Sequence, residues 1–362
     1  MTAQLARAPA SRAPTDGGAG WSWSRRPALV ALAIGALVSV VVAIGLGPVQ
    51  VAPLTVIRII GHHTIGVPGD ATWARTDDAI IWEVRLPRVL LGAIVGASLG
   101  VVGTALQALV RNPLAEPYIL GVSSGASTGA AAAILFGVGA GLGAHSVSLM
   151  AFVGALGALA FVLALARSTG RITPSRMLVA GVAVSYLLSA TTSLLILFAE
   201  SAEGARAVMF WLLGSLANAD WSTLPVGYVG MTAGIGLVFW WRRRLDLLAL
   251  GDETAMASGV DPGRTRLVLV IVVALCVGFA VSLSGGIGFV GLAGPHIARR
   301  LVGPIHRHLI PAAAALGALM LVWADVVARM ALQPRELPIG VVTGVLGAPV
   351  LIALVRKLPH NT

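Results

Sequence analysis

An all-α membrane protein with about ten transmembrane helices is the fold class this sequence predicts, on three observations. Of its 362 residues, 57% are hydrophobic and 11% charged, with a mean hydropathy of +0.90, whereas a water-soluble domain carries about 25% charged residues. Ten apolar runs recur along the chain, and a helix needs roughly 20 apolar residues to cross the hydrocarbon layer. Basic residues gather in alternate connections between the runs, the pattern that orients membrane helices.

The runs fall at about 27–47, 86–109, 117–138, 147–166, 176–199, 223–241, 265–284, 287–302, 309–332 and 338–355. Residues 1–26 precede them, rich in Ala, Pro, Ser and Gly with Arg7, Arg12, Arg25 and Arg26. They read as a disordered basic cytoplasmic tail. The first run exceeds the 7–15 residues typical of a signal-peptide core, so an uncleaved first helix is expected. The eighth run is short and carries Pro295. Residues 27–357 form the transmembrane domain and 358–362 a C-terminal tail. Ten spans place both termini in the cytoplasm. That side then receives about 18 of the 25 basic residues, while Asp70, Asp77, Asp78, Glu83, Glu200, Glu203 and Asp220 face outward. The net charge of +10 is thereby explained by membrane orientation, and no nucleic-acid partner is expected.

Two outer segments, 48–85 and 200–222, are long enough for structure of their own. Val208 to Ala217 fits a short surface helix, with Trp211 and Trp221 at the interface. Small residues four apart let helix backbones approach in lipid. Gly92, Gly96 and Gly100, then Gly121, Gly125 and Gly129, then Gly340 and Gly344 supply such faces.

Several chemistries are excluded. The one lysine, Lys357, follows Val355 and Arg356, so no GxxxxGK[ST] phosphate loop exists. ATP, if used, is hydrolysed elsewhere. Ser123 and Ser124 have no evident base beside them, and no enzyme is expected. Cys276 lies in an apolar run as a small core residue. The pairs His62–His63 and His306/His308 read as solvated loop residues, and no metal site is expected. Asp325 and Arg329, four apart in the ninth run, form a favourable helical pair. A structural ion pair is the preferred reading, with Arg329 near the aqueous mouth. An ion-gradient carrier for metal complexes, the alternative function, would need Asp325 as its coupling site.

Three segments exceed packing. Arg85-Leu86-Pro87-Arg88 sets two arginines at a helix N-terminus, against the macrodipole, which suggests an external source of negative charge. Arg111-Asn112-Pro113-Leu114-Ala115-Glu116-Pro117 is a cytoplasmic turn stiffened by prolines, suited to a constriction. Leu245 to Val260 is the longest cytoplasmic loop. In it Gly251 and Gly259 bracket a short helix, and Leu247, Leu248 and Leu250 are exposed unless a partner covers them.

In sequence order, these segments together with Gln107-Ala108-Leu109, Leu120-Gly121-Val122-Ser123-Ser124-Gly125, Ala249-Leu250-Gly251-Asp252-Glu253, Gly288-Phe289-Val290-Gly291-Leu292 with Pro295-His296 and Arg299, Ala324-Asp325 with Ala328-Arg329, and Glu336-Leu337-Pro338-Ile339-Gly340 through Gly347-Ala348-Pro349 resemble the FecCD family of iron-siderophore and vitamin B12 permeases. The resemblance runs from about residue 82 to 357. It implies the permease fold of type II ABC importers, paired with a second copy or a paralogue in the bacterial cytoplasmic membrane. ATPase subunits holding ATP and Mg dock below, and a substrate-binding (lipo)protein docks above. No cofactor is implied in this chain. Arg85, Arg88 and Arg329 are implied to meet acids of the binding protein. Asn112, Leu114, Thr173 and Ser175 are implied at the cytoplasmic gate. The 245–260 loop is implied to couple to the ATPase through Leu247, Leu248, Leu250, Gly251, Asp252, Glu253, Ala255 and Gly259. The implied cargo is a ferric siderophore or a related chelate such as haem or cobalamin.

Overall fold

A computed structural model of the protein describes residues 25–167 and 173–355. The tails expected at 1–26 and 358–362 fall almost wholly outside these residues, and the first helix already begins at Arg25.

Apolar sequence with little charge leaves the backbone no hydrogen-bond partner except itself, and helices satisfy that demand segment by segment. Each of the ten apolar runs contains a helix. In chain order the helices are α1 (Arg25–Gly45), α2 (Pro53–Ile65), α3 (Arg75–Ala79), α4 (Leu86–Val110), α5 (Val122–Phe136), α6 (Ser146–Arg167), α7 (Pro174–Leu197), α8 (Ala202–Leu213), α9 (Leu224–Trp240), α10 (Arg242–Leu250), α11 (Asp252–Ala257), α12 (Pro262–Ser284), α13 (Val290–Val302), α14 (His306–Met330) and α15 (Ile339–Val355). Among the described residues six helices are long and apolar enough to span a membrane alone, and α9 with α10, bent by 56°, makes a seventh. The helices α5, α13 and α15 have 15, 13 and 17 residues. Among the described residues the apolar runs thus form helices of unequal length.

Two of the shorter helices belong to broken segments. The chain re-enters the bundle after α4 through a 3-10 turn, Pro117–Leu120, and meets the stretch between α12 and α13. There the Tyr118 hydroxyl donates to the Ile287 carbonyl (2.5 Å) and accepts from its N–H (2.9 Å), and the Glu116 carboxylate accepts from the Phe289 N–H (2.6 Å). Gly291, at the start of α13, lies against Gly103. Gly103 is seven residues, or about 10 Å at 1.5 Å per residue, from the end of α4. Thus α13 starts inside the bundle, and Glu116, read as part of a surface turn, reaches into it.

The small-residue faces pack as the sequence suggests. Gly96 and Gly100 of α4 lie on Gly317 and Ala313 of α14, and Gly125 and Gly129 of α5 on Gly154 and Met150 of α6. A methyl group at any of these four glycines would overlap a backbone carbonyl of the neighbour.

Three local expectations change. The short helix of the 200–222 segment runs over Ala202–Leu213, with the Ser201 hydroxyl accepting from the Gly204 N–H (3.0 Å) at its start. Trp221 turns inward, its ring 5.0 Å from that of Trp82 and its indole N–H donating to the Trp82 carbonyl. His62 and His63 lie in α2, where His63 stacks on Trp82 (4.2 Å) and pairs with Asp78 (3.0 Å).

Candidate functional site

At one end of the bundle the three singled-out arginines meet. A π-helical turn, Ile80–Arg85, joins α3 to α4 in one 36-residue helix, Arg75–Val110. Arg85 and Arg88 therefore lie inside a helix and not at its free N-terminus, which removes the macrodipole argument. Their counter-charges and acceptors are internal. Arg88 donates through Nε to Asp325 (2.8 Å) and through both terminal nitrogens to Glu336 (3.1 and 2.9 Å). Arg329 pairs with Asp325 at 3.0 Å and donates to the carbonyls of Leu46 and Ala43. Arg85 donates to the carbonyls of Ile44, Gly45 and Val49. The three are 5%, 6% and 4% exposed in the order Arg85, Arg88, Arg329, and Asp325 is 1% exposed. The three guanidiniums are thus satisfied internally in this chain, where the helix-start reading looked to an external source of negative charge, and Arg329 is buried rather than open at the mouth. A buried cation needs a matched anion, and Asp325 and Glu336 supply it. Glu336 alone in this cluster is substantially exposed, at 45% of its side chain.

The opposite end gathers the residues that the resemblance implies at the gate and the 245–260 loop. Arg111 closes α4 with φ +55, and the turn that follows is held by Asn112, whose side-chain carbonyl accepts from the Leu114 N–H (2.9 Å). Asn112 and Leu114 are exposed. Thr173 caps α7 by accepting from the Arg176 N–H (3.4 Å), and Ser175 is exposed in the first turn. Thr173 also lines a cleft of about 480 Å³ with Asp252, Met256 and Arg266. Thr173 and the 245–260 loop therefore border the same cavity.

The 245–260 loop is two helices, α10 and α11, broken at Gly251 (φ +120). The bracketing by Gly251 and Gly259 is as expected, and the exposure pattern is not. Leu248 and Ala255 are 0% exposed, and Leu247 is half-buried against the core. Leu250 and Met256 are open, at 72% and 50%, and Glu253 is exposed beside them. Spacing explains the split, because residues three and four apart share a helix face and Leu245 and Leu248 take the inner one.

Residues to which the sequence reading gave no site role hold this end together. Arg266 of α12 is 2% exposed and forks onto both oxygens of Asp252 (2.8 and 2.5 Å). His306 is buried at the start of α14, its N–H and Nδ1 lying 3.0 and 2.6 Å from Asp246 of α10, so it is not a solvated loop residue. Gln107 of α4 accepts from Arg299 of α13 (2.9 Å). A signal existed for Arg266: it stands at helical spacing from Leu269, Val270 and Val273, all buried, on the inner face of α12.

With this geometry in view, comparison with known proteins is informative. Residues 35–357 match the model of the FecCD transport family. The chain is 43% identical over 293 residues (79% of this chain, 86% of the relative) to the vitamin B12 import system permease protein BtuC of Vibrio cholerae. It is 41% identical over 281 residues (78% and 74%) to the cobalamin import system permease protein BtuC of Halobacterium salinarum. It is 38% identical over 283 residues (78% and 82%) to the Fe(3+)-citrate import system permease protein YfmD of Bacillus subtilis. Among solved structures, a metal-chelate type ABC transporter in an inward-facing conformation superimposes with a TM-score of 0.79 at 31% identity, over 92% of this chain and all of the other. PsaBC from Streptococcus pneumoniae shares the fold alone, at a TM-score of 0.53 and 16% identity over 76% of this chain and 92% of the other. The match runs through the arginine cluster, the Arg111–Pro117 turn and the α10–α11 segment alike, and the chain belongs to the FecCD transport family.

Proposed function

We propose that this chain is the membrane permease subunit of an ABC importer, carrying a ferric siderophore or a related chelate such as haem or cobalamin inward on ATP hydrolysed by a separate subunit. The observation that carries the reading is the α10–α11 segment. It presents Leu250, Glu253 and Met256 outward while its inner face is bound to α4, α12 and α14. An exposed apolar spot on a segment wired into the helix ends is a docking element for a driving partner. The relatives named for vitamin B12 and Fe(3+)-citrate support a large chelate as cargo.

The basic end faces the cytoplasm in this reading, by the excess of Arg in its connections. The ATPase docks on α10–α11, and the gate lies at Asn112, Leu114, Thr173 and Ser175. The binding protein docks at the other end, where Arg85, Arg88 and Arg329 act from beneath by fixing the outer ends of α1, α4 and α14, with Glu336 at the surface. A second copy or a paralogue covers open apolar faces such as Val179, Val182, Tyr186 and Leu187 of α7. Asp325 is buried between two arginines as a structural ion pair, which weighs against an ion-gradient carrier.

The test is uptake into vesicles containing the permease, its ATPase and a loaded binding protein. Uptake should require ATP and persist when an ionophore collapses ion gradients. Accumulation by the permease alone, or collapse on adding ionophore while ATP remains, would refute the importer.

A further inference from the structure

The α10–α11 segment is tied to the bundle at two polar points. Asp246 of α10 holds the start of α14 through His306. Asp252, the first residue of α11, is held by the Arg266 fork. The second tie reaches the gate. Arg266 also donates through Nε to the carbonyl of Leu109 (3.3 Å), in the last turn of α4. Two residues on, Arg111 opens the gate turn in the left-handed region, and its guanidinium lies 3.8 Å from the same Asp252 carboxylate. One carboxylate at the head of α11 thus meets a buried arginine of α12 and the arginine that begins the Arg111–Pro117 turn.

We infer that Arg266 is a positioning residue that passes displacement of α11 to the end of α4 and the gate turn. The inference rests on the importer reading and assigns the joint through which that reading would work. A two-point Arg–carboxylate contact is directional as well as strong, and at 2% exposure Arg266 is little screened by salt. Lysine cannot reproduce the fork. Elsewhere on α11, Ala255 packs in the core while Glu253, Thr254, Met256 and Ala257 are exposed. A pull on α11 therefore reaches the end of α4 through Asp252, with the buried Arg266 as the closer of its two arginine contacts and the exposed Arg111 as the looser one.

The experiment uses the complex of permease, ATPase and binding protein in vesicles, comparing the native chain with Arg266→Gln and Arg266→Lys. Three quantities are read: ATP hydrolysis and cargo taken up per ATP on the unlabelled chains, and, in separately labelled samples, the distance between spin labels at Leu114→Cys and Ser258→Cys, the latter exposed just past α11 and away from Met256, in a Cys276→Ala background. The native pair should keep its separation through the ATP cycle, because gate turn and α11 move together. In Arg266→Gln the ATPase should remain bound and hydrolysing, cargo per ATP should fall about tenfold, within the range for loss of a coupling contact, and the label distance should become ATP-dependent. Arg266→Lys should recover only part of the coupling. Where Arg266→Gln fails to assemble, Arg266→Lys, which keeps the charge and loses the fork, carries the same three readouts. Native cargo per ATP in the Gln variant, or in Arg266→Lys where that variant stands in, would overturn the joint, as would a label distance that stays fixed in the variant. Absence of ATP-driven uptake in the native complex would instead overturn the importer reading, and the joint with it.

Discussion

Asp325 sits between two guanidiniums, and the sequence announces only one of them. The pair with Arg329 follows from helical spacing, while Arg88 arrives from 237 positions away, a distance no local pattern encodes. The two acids of this cluster should respond very differently to neutralisation. Asp325→Asn leaves buried Arg88 and Arg329 short of a counter-charge and should cost about 3–5 kcal/mol. Glu336→Gln, at an exposed site, should cost about 1 kcal/mol or less. Thermal or denaturant unfolding in detergent separates the two, and equal effects would contradict the internal role of the arginines. Asp220 illustrates a second residue-scale effect. Its carboxylate is held below the ordinary value of 3.8, chiefly by the Ser222 hydroxyl, against a smaller upward push from burial and with further donors from Thr223. A depressed acid stabilises fully above its ordinary value and loses that contribution as pH falls through the lowered one. Stability of the native protein should therefore show an acid-limb component below 3.8 that Asp220→Asn lacks, followed by unfolding at stepped pH.

At the scale of elements, hydrophobic length shows where helices lie and not how deep each one runs. All ten apolar runs contain helices, yet α13 starts within the bundle because Gly285 and a left-handed Phe289 (φ +68) interrupt the run from α12. The helix before Arg85 was illegible for the opposite reason: Arg75–Arg85 carries three acids and two arginines, and its helix is held by tertiary packing of Ile81 and Trp82 in the outer cluster. Small-residue faces, by contrast, were legible, since lipid supplies no hydrophobic drive and only close approach remains. Gly103→Ala should therefore be costly, its methyl meeting the Gly291 carbonyl, by about 1–3 kcal/mol or more as for other overpacking changes. Gly157→Ala, with open space around it, should be neutral or better. Expression and thermal stability of the two variants measure the difference directly, and a tolerated Gly103→Ala would mean that α4 and α13 are free to separate.

For the whole molecule, the two ends differ in what they leave open. The acidic end spends its arginines on itself, so its surface is shaped by the cap around Trp73, Trp82 and Trp221 and by Glu336. The basic end keeps its ties below the surface and turns Leu250 and Met256 outward. The α10–α11 segment was recognisable from its glycines and leucines, but which leucine faces out depends on the register of α10 against α4 and α14, a property of the packed bundle. That register makes the docking proposal separable from folding. Leu250→Glu or Met256→Glu changes an exposed side chain and should leave thermal stability within about 0.5 kcal/mol, as surface substitutions do, while abolishing co-purification with the ATPase. Leu248→Ala empties a buried site and should destabilise by about 2–5 kcal/mol, with ATPase association lost only to the extent that the fold is lost. Pull-down of the ATPase beside unfolding curves for the three variants distinguishes a docking face from a scaffold. If Leu250→Glu and Met256→Glu both hold the ATPase as the native chain does, the partner grips another surface and α10–α11 is not the drive shaft of the permease.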